Sequence, residues 1–599
     1  MAARLALLRR ALSVSAVVAC VALSGVAIRT LSPAPAAAQT SDTVLENLTF
    51  AFGDISYRAP RAEFRGTTLS QTELIRLFDA TSPEPLADRV RRLDVASILL
   101  PEIISEVTTP QGRQVTTYRD AVFSKVRGGK IASVSAATGS IETTDGKGAV
   151  RGSFGRFAIE DLDLDLAVGL FTTKGTPDVA LKRIYGAFSV DGLTFTDPSG
   201  NPTRIGRLSG RDLSARPTSA GWAGTLNALA ANPDLKGASP EARRRSIDAL
   251  SELFDAFAVG AMEATDITFG GRDSNGSGRL SRMAFSGASG ARAAEVRVDG
   301  FDAGSEGGRV RFSSLSFGGL SMGPLLGALR EFGASSGPPS AAVLRGLVPI
   351  LGDVSMNGLE VDVPGSKTAA QGSPPPMRVS LGQIEVAAGK AVDGIPSDLR
   401  FTLRDVSFPV SPNPEIDALK QLASLGYERV VTSLAISLGW NEAAQELVMR
   451  EVSLDGADIG AAMLRAVIGN VSRDVFNPDT AVASVAALGA TAKSAEIGIE
   501  NRGLFERIIA RQAKRQNRNS EDIRREYGMA AAVGIPAILG NSAGAKTLAQ
   551  AVAKFVAKPG RLVITARAKQ PAGYGIADFA AGPDPASVLD ALEVTATAE

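Results

Sequence analysis

The stretch Leu434–Gly460, LAISLGWNEAAQELVMREVSLDGADIG, contains a pattern that recurs through much of this 599-residue chain. Polar and apolar residues alternate in its first part, where the apolar set is Leu434, Ile436, Leu438 and Trp440. The polar residues Asn441–Gln445 interrupt this pattern, and Leu447–Leu454 then alternate again. Because successive side chains of a strand point to opposite faces, the pattern predicts a β-hairpin with one apolar face.

The same alternation recurs through much of Ser41–Val410, between glycine-containing and polar turns. Representative apolar sets are Phe157, Ile159, Leu162, Leu164 and Leu166; Ala294, Val296 and Val298; Val310 and Phe312; and Leu359, Val361 and Val363. Strands with one apolar and one polar face are typical of antiparallel sheets, in which one side is solvated. We therefore expect short antiparallel strands over most of the chain.

A four-residue motif with Asp-Gly or Asn-Gly at its centre recurs in this region. Its copies are Val190-Asp191-Gly192-Leu193, Val298-Asp299-Gly300-Phe301, Met356-Asn357-Gly358-Leu359 and Leu454-Asp455-Gly456-Ala457. Two-residue hairpin turns need positive φ angles, which these dipeptides adopt readily, so each copy is expected to join two strands. The alternative is that the motif has no common role, because Asp-Gly between apolar residues is frequent in any β-rich protein. The unequal spacing of the copies does not support a solenoid of fixed period.

Helices are predicted at fewer places. Ser70–Glu73 is a capping box opening a helix through Leu74, Leu77 and Phe78, and Ser239-Pro240 opens another, whose apolar face would contain Ile247, Leu250, Phe254, Phe257 and Ala261. After Pro414, helical periodicity occurs at 459–467, 504–515, 520–539 and 547–556, before a last strand through Leu562, Ile564 and Ala566.

These patterns predict an α+β protein of several lobes, mainly antiparallel sheet with interspersed helices. We expect a β-rich lobe with short helices at 39–235, a helix and antiparallel sheet at 236–410, and a helix-rich α+β lobe at 411–599. The composition of Pro364–Pro376 is that of a linker or exposed loop.

Residues 1–38 are interpreted as a secretory signal peptide. Arg4, Arg9 and Arg10 precede the apolar run Ala11–Ile28, and Ala36 and Ala38 fit an A-x-A cleavage site. We therefore expect the periplasm of a Gram-negative envelope. Two alternatives are an uncleaved anchor in the inner membrane and lipidation at Cys20, which follows a lipobox-like Val17–Ala19.

Composition excludes several mechanisms. The chain has no histidine, and its one cysteine, Cys20, lies in the predicted signal, so the mature protein has no intramolecular disulfide. Zinc, copper and haem sites built on histidine or cysteine are excluded as well, and we expect no metal and no cofactor. The 64 basic and 63 acidic residues are balanced, so nucleic acid is not an expected partner.

Two motifs resemble functional sites superficially. Gly540–Gly544 matches the G-x-S-x-G nucleophile elbow, but a Ser-His-acid mechanism needs a histidine; a lysine base at Lys546 is the remaining catalytic alternative, and a helix-breaking turn is the structural one. Asp161, Asp163 and Asp165 resemble the start of a calcium loop. Their alternation with leucine indicates instead three carboxylates on the polar face of a strand. We predict no catalytic residue.

The strongest charge concentration is Asn501–Tyr527, with eight basic and four acidic residues. Leu504, Phe505, Ile508 and Ile509 give its first helix an apolar side, and a basic amphipathic helix can bind anionic headgroups or acidic partners. The candidate lipid- or partner-binding residues are Arg507, Arg511, Lys514, Arg515 and Arg518. The alternative is a solvated helix that packs through its own apolar stripe.

The hairpin at Leu434–Gly460, with a strand ending in Trp440 and the closing Leu454-Asp455-Gly456-x-x-Ile459-Gly460, resembles the β-repeats of AsmA-like and YdgA-like proteins of the proteobacterial envelope. The resemblance covers roughly 30 residues, with looser similarity at Val190, Val298 and Met356. It implies an elongated periplasmic protein with an apolar sheet surface, connected with phospholipid handling or outer-membrane homeostasis.

We therefore predict an exported, non-enzymatic protein that binds or scaffolds phospholipid or an envelope protein through amphipathic sheet and the basic helix. Its mature part is expected to be soluble, with membrane contact that is peripheral or through an uncleaved N-terminus. The alternatives are a hydrolase that uses carboxylates alone, as glycosidases do, and a pure protein–protein adaptor.

Overall fold

The computed structural model describes residues 41–599 except 53–54, 80, 85–87, 90, 110–111, 146–147, 231–238, 271–275, 290–292, 321–351, 364–376, 411–415 and 582–584. The predicted signal peptide and the linker Pro364–Pro376 lie outside these residues. The described residues up to 306 belong to a first compact unit and those from 307 onward to a second. The division into lobes at 235 and 410 stays a prediction.

The first unit is built on one continuous antiparallel ladder. Its strands are β1 Ser41–Phe52, β2 Ile55–Thr67, β3 Asp94–Thr109, β4 Gly112–Arg127, β5 Lys130–Ala136, β6 Thr138–Asp145, β7 Gly148–Phe154, β8 Phe157–Asp163, β9 Lys182–Thr196, β10 Pro202–Ala215, β11 Phe257–Gly270, β12 Ser277–Ser286 and β13 Ala294–Ser305. β1 to β4 pair in order. β4 then pairs with β5 and β6, these lead through β8 and β7 to β9, and β9 to β13 again pair in order.

At one set of positions that face each other across neighbouring strands, the backbone of every second strand has a positive φ. We call such a set of positions a kink line. The ladders place Gly192 of β9 opposite Gly206, Gly206 opposite Asp266, Asp266 opposite Ser281, and Ser281 opposite Gly300 of β13. φ is positive on alternate strands: 62° at Gly192, 53° at Asp266 and 68° at Gly300. Glycine, and to a lesser degree aspartate, adopt this left-handed region at low cost.

A second kink line runs parallel to the first. It contains Lys125 of β4, Ala132 of β5, Asp161 of β8, Gly186 of β9, Asp212 of β10 and Gly260 of β11. Again φ is positive on alternate strands, at Lys125, Asp161 and Asp212. The side chains of Asp161 and Asp212 lie over the glycines of the following strands, so the aligned positions must be small.

Each kink line shifts the alternation of buried residues by one. Around Gly192 of β9 the buried residues are Phe188 and Val190, then Leu193 and Phe195, so the spacing is two, three and two. A common β-bulge adds a residue to one strand only and shifts the register. Here the register is the same on both sides of the line, because paired strands both take the additional residue. The same face therefore stays apolar along each strand.

The recurring Asp-Gly motif marks these kinks and not hairpin turns in three of its four copies, so that prediction was wrong for them. Gly192 and Gly300 lie in the middle of β9 and β13, and Gly358 in the middle of a strand of the second unit. Only Asp455-Gly456 ends a strand, and residues 457–459 form the turn that follows. The positive φ was anticipated correctly, but paired strands on both sides hold the chain extended.

Four described helices pack on the first-unit sheet: α1 Gln71–Phe78, α2 Leu164–Thr172, α3 Gly221–Ala230 and α4 Pro240–Asp255. The predicted capping box of α1 is confirmed, since the Ser70 Oγ accepts from the Glu73 N–H at 3.3 Å and the Glu73 carboxylate from the Ser70 N–H at 2.8 Å. Trp222 of α3 contacts Phe171 and Phe257 edge-on in a core that the ladder and the helices share.

The second unit has a further antiparallel ladder with its own helices. Its strands are β14 Gly308–Leu320, β15 Asp353–Val363, β16 Met377–Val392, β17 Ile395–Pro409, β18 Arg429–Asn441, β19 Glu446–Gly456, β20 Gly460–Gly469, β21 Thr491–Asn501, β22 Arg561–Ala568, β23 Tyr574–Gly575 and β24 Leu592–Ala598. Its helices are α5 Asp417–Ser424, α6 Thr480–Leu488, α7 Leu504–Gln516, α8 Ser520–Leu539, α9 Ala543–Ala557, α10 Ile576–Ala580 and α11 Pro585–Asp590, with a 3₁₀ turn at Arg473–Phe476. β14 to β22 pair in order, and β22 pairs with β24.

Several local predictions are confirmed. The hairpin of β18 and β19 closes through residues 442–445, as its sequence indicated. Ser239 caps α4, and α7, α8 and β22 occur where their periodicity placed them. The sheet-rich α+β class is correct for the described residues, and the antiparallel ladders are its main component.

Other local predictions were wrong. Of the predicted helix 459–467, residues 460–467 lie in the strand β20, because β19 and β21 pair with it on both sides. Leu164 and Leu166 lie in α2 and not in a strand, since Asp163 caps a helix there. Phe257 and Ala261 belong to β11, because α4 ends at Asp255.

The close approach at a kink line is testable by a glycine substitution. A Cβ on Gly206 would lie 2.8 Å from the Asp266 Cβ, whereas one on Gly169 of α2 has its nearest neighbour at 3.8 Å. We expect Gly206→Ala to lower the free energy of unfolding of the first unit by about 1–3 kcal/mol through overpacking. Gly169→Ala should raise it by about 0.5–1 kcal/mol, as alanine favours helix.

The measurement is urea unfolding followed by Trp222 fluorescence in a Trp440→Phe background, which removes the other tryptophan of the chain. An unchanged unfolding midpoint for Gly206→Ala would show that the strands are not held close at this line.

Candidate functional site

An apolar face covers one side of the second-unit sheet. On β14 to β17 the spacing of its residues is two, three and two, as in Val354, Met356, Leu359 and Val361 of β15, whereas β18 keeps strict alternation through Val430, Leu434 and Ile436. The ladders align these residues in four rows across the strands. The rows are Phe317–Val354–Val386–Phe401–Ile436–Val452, Leu315–Met356–Ile384–Leu403–Leu434–Leu454, Phe312–Leu359–Leu381–Val406, and Val310–Val361–Val379–Phe408–Val430. We call these four rows the apolar sheet face.

A third kink line holds this face together. It runs from Ser313 through Gly358, with φ of 63°, and Gly382 to Asp405, with φ of 53°. The line ends at β17, because the register between β17 and β18 shifts between Leu403 and Val406; at that bulge the backbone N–H of Asp405 donates to the Ser433 Oγ at 3.0 Å. Without the additional residue at this line, strict alternation would turn half of the apolar residues of β14 to β17 to the other side of the sheet.

The face is only half-buried. Among its residues on β14 to β19, all but Val430 retain solvent exposure above that of a closed core, and Leu454 is 54% and Val310 38% exposed. Core residues of the first unit differ, since Ile159 is 1% and Phe64 1% exposed. Soluble proteins seldom leave a large apolar patch open without a binding function.

The opposite side of the same sheet is charged. Arg311 forms an ion pair with Glu360, and the Arg378 guanidinium donates to the Asp362 carboxylate at 2.6 Å. That hydrogen bond holds the pKa of Asp362 below its ordinary value, and the Arg311 charge adds to the effect. The sheet is therefore amphipathic, with the ion pairs on the solvated side and the four rows on the other.

Helix α9 covers the far end of the same rows. The rows that begin at Phe317 and Leu315 continue through Leu464 and Ala462 to Ile497 and Ile499, respectively, and then to β22 and β24. At β22 and β24, Leu562 and Ala598 are buried with Ala551 of α9. Ile497 is still 41% exposed, so the cover of α9 ends between β22 and β21.

Helix α7 lies at the strand ends beside the row that ends at Val430. It begins after Gly503, and the backbone N–H of Leu504 donates to the carbonyl of Ile459, in the loop between β19 and β20. The Tyr427 hydroxyl, just before β18, donates to the Asp458 carbonyl of that loop at 2.7 Å. These contacts fix α7 at one rim of the apolar sheet face.

The structure separates the predicted basic residues into two groups. The Arg507 guanidinium lies 4.2 Å from the centre of the Tyr427 ring and donates to the carbonyls of Leu425 and Gly426, while Arg511 donates to the Ser424 Oγ at 2.5 Å. Burial raises the pKa of the Tyr427 hydroxyl, and the nearby Arg507 charge partly offsets the rise.

The other three basic residues lie away from Tyr427. Lys514 and Arg515 are exposed in the last turn of α7, and Arg518 follows the helix and forms an ion pair with Glu526 at 2.6 Å. Sequence periodicity placed four of the five cations on the helix 504–515 and Arg518 just after it, but it did not indicate which strand ends the helix meets.

The two superficial motifs have structural roles in the described residues. The Ser542 Oγ accepts from the Ala545 N–H at 3.2 Å and caps α9, which starts at Ala543, earlier than the predicted residue 547. The expectation of three carboxylates on a strand was wrong, because Asp163 caps α2 and Asp165, inside the helix, pairs with Arg91. Within the described part of the chain, no group of three or more acidic side chains is arranged to hold a metal ion.

Comparison with known proteins gives one match. Residues 453–599 match a family model described as an uncharacterized protein. No curated protein and no solved structure matches the chain. The matched residues are about a quarter of the chain and include α7 and the covered end of the apolar sheet face. The AsmA-like resemblance stays a prediction, and among the described residues no helix combines the length and hydropathy needed to cross a membrane.

Two leucines on the same side of the sheet test whether the face is open. Leu562 is 4% exposed beneath α9, whereas Leu403 lies in the uncovered part of the rows. We expect Leu562→Ala to lower the free energy of unfolding by about 2–5 kcal/mol and Leu403→Ala by about 1 kcal/mol, since only the first leaves a closed cavity. Hydrogen exchange of second-unit peptides at increasing urea measures both losses. Equal losses would mean that the face is covered.

Proposed function

We propose that this protein is an exported, non-enzymatic protein of the Gram-negative envelope that binds the acyl chains of lipids along its apolar sheet face. The observation that carries the proposal is the set of four aligned apolar rows, whose side chains on β14 to β19 are, except for Val430, only partly buried within the described structure. Strand spacing and residue rise give this surface a size of about 24 Å by 24 Å, on the order of 600 Å². That is at the upper end of the patches found on soluble proteins.

The chemistry of the face favours acyl chains over a protein partner. A protein interface carries about one hydrogen bond per 100–200 Å². The four rows contain Val, Leu, Ile, Met and Phe; Thr432, which continues the third row on β18, donates its hydroxyl to the Asp455 carbonyl at 2.8 Å. Acyl chains need no hydrogen bonds, and burying their methylenes stabilises a complex by about 0.8 kcal/mol per CH₂.

The remaining parts of the proposal concern location and organisation. The signal-like residues 1–38 support export to the periplasm, and contact with a membrane would be peripheral or through that segment. We also propose that residues 411–599 act as a helix-rich C-terminal lobe, in which α7 and α9 border the lipid-binding surface.

The proposal is tested by lipids that copurify with the protein. We expect organic extracts of protein purified without detergent to contain phospholipid or fatty acid by mass spectrometry. Substituting Ile384→Glu together with Leu403→Glu introduces charges in one row and should reduce the lipid at least tenfold, because a charge cannot be covered by acyl chains at low cost.

The matched control is Glu385→Gln with Arg400→Gln, which changes neighbouring positions on the opposite side of the sheet. Circular dichroism spectra of both double variants should match that of the wild type, which establishes that they fold. Equal lipid content in the two variants, or none in the wild type, would contradict lipid binding; cross-linking to a protein alone would favour the adaptor alternative.

A further inference from the structure

The rim of the apolar sheet face carries two cations of α7. The row Val310–Val361–Val379–Phe408–Val430 is the last before the strand ends, and Val430 lies three residues after Tyr427. Arg507 stacks over the Tyr427 ring at 4.2 Å, and Arg511 bonds to Ser424, one helical turn along α7. Both guanidinium groups therefore lie at the strand ends next to this row, beyond its buried end at Val430.

Both cations are available to a ligand. The hydrogen bonds that they make use Nη1, which leaves Nε and Nη2 of each guanidinium. Among the described side chains, neither Arg507 nor Arg511 forms an ion pair. Arg502 and Arg518, which flank them in sequence, pair with Asp455 and Glu526. The nearest carboxylate on α7, Glu506, is engaged by the Asn501 amide at 2.7 Å.

We infer that Arg507 and Arg511 bind the phosphate of an anionic phospholipid whose acyl chains lie on the apolar sheet face. Guanidinium groups recognise phosphate through paired, charge-assisted hydrogen bonds, which a lone cation on a flexible stem does not reproduce. The carbonyls of Leu425 and Gly426 and the Tyr427 ring hold the Arg507 side chain in place before a ligand arrives. This inference rests on the proposed function and specifies its ligand as anionic.

The test compares two lipids with identical acyl chains. Delipidated full-length mature protein is titrated with fluorescently labelled phosphatidylglycerol and phosphatidylcholine below their critical micelle concentrations. We expect the wild type to bind phosphatidylglycerol about tenfold more tightly, equivalent to about 1.4 kcal/mol. The preference should decline with salt, because the two arginines are solvent-exposed.

A pair of double variants assigns the preference to the rim. Arg507→Gln with Arg511→Gln should bind both lipids with equal affinity, no higher than that of the wild type for phosphatidylcholine. The control Lys514→Gln with Arg515→Gln removes the same charge from the same helix, away from Tyr427, and should keep the preference.

Each other outcome overturns a stated claim. A wild type without preference, or an Arg507/Arg511 variant that keeps it, contradicts the headgroup site and leaves acyl-chain binding intact. Binding of neither lipid contradicts the proposed function itself. Inorganic phosphate in excess should reduce the preference more than chloride at the same ionic strength, because it competes for the two guanidinium groups; an equal reduction by the two salts would contradict a phosphate site.

Discussion

The structure depends on the pairing of a positive-φ residue with a small neighbour at the same place on adjacent strands. At Asp266 and Gly206 the aspartate turns left-handed, and the glycine leaves room for its side chain. Because the next strands of the first unit repeat the arrangement, the additional residue does not shift the register along this line. An isolated bulge would break a ladder locally, whereas an aligned line of kinks lets every strand change its alternation together.

The same device produces the surface to which we assign the function. In the second unit the line through Gly358, Gly382 and Asp405 keeps the residues on both sides of it pointing the same way. The result is a sheet with one apolar and one ion-paired side, and among the described helices α9 covers its end at β22 and β24. The backbone conformation at this kink line thus determines which side of the sheet presents an apolar surface.

Much of the fold could be predicted from the sequence, because strand alternation, the capping box at Ser70 and the cap at Ser239 are local signals. The kinks could not be separated from turns, since Asp-Gly supplies positive φ in both, and only pairing partners far along the chain decide between them. Residues 459–467 show the same limit, as their apolar pattern fits a helix until β19 and β21 are known. The five cations of the basic helix were identified from sequence, but their two environments depend on Tyr427, far away in the chain.

The central claim is that lipid lies against the rows of the apolar sheet face, and photocrosslinking from single positions tests it most directly. Benzoylphenylalanine is introduced at Phe401, within a row, or at Arg400, on the opposite side of the same strand. After irradiation of cells, intact-mass spectrometry detects any lipid adduct. The account predicts a phospholipid adduct at Phe401 and none at Arg400. Adducts at neither position, or equal adducts at both, would contradict it.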